Sequence, residues 1–118
     1  MIFNDDEKSF KLETPAGKKI TVDENSGVIQ LEDENGNIVK MESAGITIES
    51  GSALTLKAAK DITMEAANIK LTPSSEFSVS ASGSEIKAGP GSAEFKSTSV
   101  KIDGSGMTEI KGGLVKIN

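Results

Sequence analysis

The chain has 118 residues and a net charge of −5, and it contains no Trp, Tyr, Cys, His or Arg; four Phe are its only aromatics. Without His or Cys, the common zinc sites, imidazole or thiol catalysis and any disulfide framework are excluded. The acidic balance disfavours nucleic acid and anionic membrane surfaces, and no run of about 18 apolar residues suggests a spanning helix.

Residues 1–19 read as a leading segment. Met1 to Phe10 is too charged for a secretory signal, and an acidic cluster (Asp5, Asp6, Glu7) precedes a strand at Ser9-Phe10-Lys11-Leu12 and a turn at Thr14-Pro15-Ala16-Gly17. From Ile20 onward the chain repeats one phrase, apolar-polar-apolar, which sets two side chains on one face of a strand and one on the other. Ile20-Thr21-Val22, Ile29-Gln30-Leu31 and Ile38-Val39-Lys40-Met41 recur every nine residues, joined by acidic turns at 23–27 and 32–37. Asn35-Gly36 alone would signal a hairpin. The repeat on both sides of it favours a corner in a solenoid of short strands.

The period then tightens. Ile46-Thr47-Ile48, Leu54-Thr55-Leu56 and Ile62-Thr63-Met64 recur every eight residues, and Ile69-Lys70-Leu71 follows at seven. Phe77-Ser78-Val79, Ile86-Lys87-Ala88, Ala93-Glu94-Phe95 and Val100-Lys101-Ile102 continue the series, with prolines only between units. Thr108-Glu109-Ile110 and Leu114-Val115-Lys116-Ile117 close it, and Leu114 and Val115 cannot both point inward. The expectation is an all-β needle over 20–118, about a dozen strands with no helix and no internal boundary.

A strand that shelters two side chains per repeat is too slender to stand alone in water. One solution is a single-chain coil with three strands per turn and a period of about 24 residues; the other is three identical chains wound into an intertwined trimeric triangular β-helix, or β-prism, of octad-like repeats. Ile46, Leu54, Ile62 and Leu71 are mutually alike, with no stronger echo at 24, which favours the homotrimer. Its axial core would be Ile46, Ile48, Leu54, Leu56, Ile62, Met64, Ile69, Leu71, Phe77, Val79, Val100 and Ile102. At about 4.8 Å per layer, a dozen layers give a shaft about 60 Å long.

The remaining features read as structural. Asp5, Asp6, Glu7, Asp33 and Glu34 sit on turns, where carboxylates serve as solvated caps. Gly104-Ser105-Gly106 and Lys111-Gly112-Gly113 lack the spacing and the following helix of a phosphate loop. Thr47, Thr55 and Thr63 make a threonine ladder of the kind an ice-binding solenoid needs, but Lys70, Ser78, Lys87, Glu94 and Lys101 take over the outward positions. The alternative function is therefore a single-chain module for ice or polysaccharide. An enzyme on a β-solenoid would need long loops over a cleft, and none are present. No catalytic centre, cofactor or metal is expected.

Thr14-Pro15-Ala16-Gly17, Asp33-Glu34-Asn35-Gly36-Asn37-Ile38 with Met41, Gly45-Ile46-Thr47-Ile48, Asp61-Ile62 and the closing Lys111 to Asn118 occur here in an order that resembles one family. It is the C-terminal β-helical needle of VgrG-type spikes of type VI secretion, and of related phage tail and extracellular contractile injection systems. The resemblance covers nearly the whole chain, although the early nine-residue units and the glycine-rich breaks at 89–91 and 104–106 depart from a strict octad. It implies a homotrimeric membrane-piercing spike without enzymatic activity, assembled in the bacterial cytoplasm and acting outside the cell as part of an injection particle. It further implies a PAAR-repeat tip protein on the blunt C-terminal end (Leu114, Val115, Lys116, Ile117, Asn118) and a tail-tube hub or N-terminal spike domains at the other. Contact with a target membrane would be transient.

Overall fold

The computed structural model describes residues 2–118, with Ile2 and Phe3 by their backbone alone; Met1, where the leading segment was expected to begin, lies outside the described residues. Among these residues there is no helix. The chain divides into two compact units, Met1–Thr63 and Met64–Asn118, each with its own sheet.

The first unit is a six-stranded antiparallel meander in chain order. Its strands are β1 (Ile2–Asn4), β2 (Ser9–Glu13), β3 (Lys19–Asp23), β4 (Val28–Glu32), β5 (Ile38–Glu42) and β6 (Gly45–Glu49). Each strand pairs only with its neighbours in sequence, and the apolar-polar alternation fixes the register, because a slip of one residue would exchange the faces. Leading segment and repeat share this sheet, since β2 pairs with β3 from Ser9↔Asp23 to Glu13↔Lys19.

Asn35-Gly36 belongs to a hairpin, which corrects the expectation of a solenoid corner. Asp33 N–H donates to Asn37 C=O at 3.2 Å, and Gly36 takes φ 82, a left-handed conformation open to glycine without steric cost. The Asn-Gly signal outweighs the repeat because a five-residue loop returns the chain onto its own strand before a neighbouring layer is within reach. The single-chain coil is likewise not the arrangement found: strands pair antiparallel with adjacent strands, and none stacks in parallel on a strand about 24 residues away.

In the second unit, β7 (Phe77–Ala81), β8 (Ser84–Gly89) and β9 (Ser92–Ser97) form a three-stranded meander. Residues 50–76 and 98–118 contain no strand. The strands expected at Leu54–Leu56, Ile62–Met64, Ile69–Leu71, Val100–Ile102, Thr108–Ile110 and Leu114–Ile117 therefore do not form within a single chain. A strand exists only when its backbone has a partner, and the chain offers none to these segments.

Candidate functional site

Alternation and register together sort the six-stranded sheet into two chemically different faces. Cross-strand partners share a face, so Phe10 lies beside Val22, Leu12 beside Ile20, and Ile20 beside Leu31. Ile29 follows beside Met41, Leu31 beside Val39, Val39 beside Ile48 and Met41 beside Ile46. One face is thus an unbroken apolar surface. The opposite face carries Lys19, Thr21, Gln30, Glu32, Lys40 and Glu42, with Val28 and Ile38 at its ends; Lys19 Nζ lies 3.5 Å from Glu32, Lys40 Nζ 2.8 Å from Glu42, and Gln30 donates to the Glu32 carboxylate.

Burial on β3, β4 and β5 is inverted relative to an ordinary one-sided sheet. Lys19, Thr21, Gln30, Glu32, Lys40 and Glu42 are half-buried among their own long side chains, while Ile20, Val22, Ile29, Leu31, Val39 and Met41 are 37–48% exposed. Ile46 and Ile48 are more open still. No hydrophobic side chain among the described residues is buried. The accessible surface is 10734 Å² for a 12.3 kDa chain, whereas a folded monomer of that mass exposes about 6,100 Å².

The smaller sheet repeats the division into an apolar and a charged face, though not the inverted burial. Phe77, Val79, Ile86, Ala88, Ala93 and Phe95 share one face, and Glu85↔Lys96 and Lys87↔Glu94 put opposite charges across from each other on the other. Phe77 and Val79 of the expected axial core lie on this apolar face. Of the rest, Ile46 and Ile48 lie on the apolar face of β6. Leu54, Leu56, Ile62, Met64, Ile69, Leu71, Val100 and Ile102 lie on the segments without internal pairing, each about half to two-thirds exposed. At the C-terminus, Leu114 and Ile117 are 86% and 88% exposed and Val115 is 47% exposed; Lys116 and Asn118 are also exposed.

Phe10, Leu12, Ile20, Val22, Ile29, Leu31, Val39 and Met41, none of them in the expected axial set, share the apolar face of the first sheet with Ile46 and Ile48, because a nine-residue hairpin repeat keeps an apolar face as faithfully as an octad does.

The carboxylates of the turns at 23–27 and 33–37 are occupied locally, whereas at the first turn Asn4 Oδ1 accepts from the Asp6 and Glu7 backbone. Asp33 accepts four N–H donors, from the backbone of Asn35 and Asn37 at 2.9 and 3.0 Å and from their side-chain amides at 3.3 and 2.8 Å. These hold its pKa down at about 2, the Asn37 amide first among them. Glu34 is lowered chiefly by Lys18, whose Nζ donates to both its oxygens at 2.8 and 3.0 Å. Asp23 accepts from Asn25 N and Ser26 N in the same manner, and the Asn25 amide reaches across to Glu7 C=O at 2.8 Å. These groups brace turns.

What the arrangement offers is an apolar, self-similar surface that needs covering, joined to stretches of backbone that need pairing. Comparison with curated proteins gives no match. The model of one protein family, described as phage baseplate V C-terminal trimerisation domain, matches residues 9–76, from the start of β2 to the end of the first unpaired stretch. That match takes in more than half of the chain, and the chain accordingly belongs to the phage baseplate V C-terminal trimerisation domain family, a structural part of phage-tail-like baseplate spikes.

Proposed function

We propose that this chain forms a homotrimeric, non-enzymatic spike of a contractile injection apparatus, the three apolar sheet faces turned inward as a triangular prism and residues 50–76 and 98–118 wound among the sister chains. The observation that carries this reading is the burial on β3 to β5, where six aliphatic side chains of one face stay 37–48% exposed while the lysines and glutamates of the other are half-buried. Burying an Ile or Leu side chain stabilises a structure by about 1.5–3 kcal/mol. The first sheet exposes eight aliphatic side chains of this kind, counting Val22, Val39 and Met41 with the Ile and Leu, and their further burial favours association. Three copies also suit the unpaired segments, because a backbone without partners in its own chain finds them on either side.

On this reading the outward face is the polar one, and the rod transmits thrust to a target membrane. Its C-terminal end, Leu114 to Asn118, seats a small tip protein of the PAAR-repeat type, and the other end continues into a tail-tube hub or N-terminal spike domains. The particle is assembled in the bacterial cytoplasm and works outside the cell. Light scattering on the purified chain tests the core of this proposal. Three times the chain mass is expected, and a monomer at micromolar concentration overturns it.

A further inference from the structure

Where β6 ends, the chain does something it does at the end of no earlier strand. β2 to β5 each end in a tight turn that returns the chain to its own sheet, whereas after Glu49, paired with Ile38, no further strand of this unit follows. The next ladder position is taken over by a side chain. Asn37 Oδ1 accepts from Gly51 N at 3.1 Å, while the Asn37 amide nitrogen donates to Asp33 Oδ2 at 2.8 Å. Ser50 Oγ donates to Ala53 C=O at 2.8 Å and accepts from Ser52 N at 3.2 Å, bending the chain at once.

Gly51 fits this place through close approach, not through a left-handed backbone. A Cβ there would fall on the carbonyl oxygen of Asn35 and lie 3.6 Å from Gly36 Cα. Backbone thus rests on backbone, between the hairpin turn and the departing chain. Neighbouring turns at this end of the sheet also touch through side chains, as in the Lys18 ammonium on Glu34, but at Gly51 the departing chain meets the 33–37 turn backbone against backbone.

We infer that Asp33, Asn37 and Gly51 form a crossover clamp, which ends the chain's pairing with its own sheet and directs the segment after Gly51 toward a sister copy. The side-chain acceptor stops the ladder at Glu49, so Leu54 and Leu56 cannot fold back as a seventh strand of the same meander. The outer edge of β6 stays open for a strand from a neighbour. This rests on the trimeric reading above.

The test uses the full chain with Asn37→Ala, Gly51→Ala and, as control, Asp23→Ala, which removes a similar turn acceptor away from the crossover. Amide hydrogen exchange and particle mass are read together. In Asn37→Ala the Gly51 amide is expected to exchange about tenfold faster than in wild type, and the trimer recovered after refolding to fall several-fold. Gly51→Ala should lower trimer recovery further, and Asp23→Ala should change neither readout. A wild-type trimer whose Gly51 exchange and refolding yield are untouched by Asn37→Ala overturns the clamp and leaves the trimer standing. A monomeric wild type overturns the trimer itself, and the handover with it.

Discussion

Asp33 concentrates four hydrogen-bond donors on one carboxylate, and an ionised acceptor makes each of these bonds stronger than a neutral one would. Its pKa, about 2 in the folded chain against an ordinary 3.8, lies on the side that makes ionisation and folding support each other. The stabilisation is therefore fully present above the ordinary value and is lost as pH falls from about 4 towards 2. Thermal melts of wild type and Asp33→Asn over pH 7 to 2 should show the wild type melting higher at neutral pH, with the difference closing across that window. A difference that stays constant down to pH 2 would mean that the charge on Asp33 contributes nothing. Glu34 belongs to this turn and Lys18 reaches it from the neighbouring one, so Lys18→Ala is a useful companion; as an exposed, solvent-screened ion pair it is expected to leave the melting temperature nearly unchanged.

At the scale of the strand, what matters is which face a side chain is on. Leu31 stands between Ile20 and Val39 at the centre of the apolar surface. Leu31→Asp would bring three carboxylates together inside a prism, and no buried partner exists to offset their desolvation. The trimer should be lost in gel filtration, whereas Lys40→Ala on the opposite face should leave mass and melting nearly unchanged. A stable Leu31→Asp trimer would put the apolar face on the outside. The alternation of Ile20-Thr21-Val22, Ile29-Gln30-Leu31 and Ile46-Thr47-Ile48 made these strands legible from sequence, since a period of two admits one reading wherever one face is apolar. How the strands pair was not legible. A corner and a hairpin use the same Asn-Gly, and only the return geometry at Asp33 to Asn37 separates them. The crossover at Gly51 was hidden for another reason: it depends on a contact between turns that are distant in sequence, and glycine there resembles any other loop glycine. The octads from Leu54 to Leu71 read as strands in the sequence, but they form none in the chain by itself, because it offers their backbone no partner.

At the scale of the whole molecule, the two sheets and the two unpaired stretches differ in what they require of a neighbour. The inner strands of the sheets already have their backbone partners, and the sheets lack a cover for their apolar faces and partners for their outer edges, so they can form before assembly. Residues 50–76 and 98–118 lack backbone partners as well, and they should become ordered only when the chains associate. Dilution below the association midpoint is expected to open these stretches to protease first, with cleavage in 50–76 and 98–118 preceding any within β2 to β5. The last five residues allow a separate test. Leu114 and Ile117 are among the most exposed side chains of the chain, and an apolar, three-fold end suits a capping partner. Deleting Leu114 to Asn118 removes that end while leaving both sheet faces intact, so the truncated chain should remain trimeric and lose co-purification with a cognate PAAR-type tip protein. Retained capping by the truncated trimer would move the docking site away from these residues, and loss of the trimer itself would make them part of the core that holds the rod together.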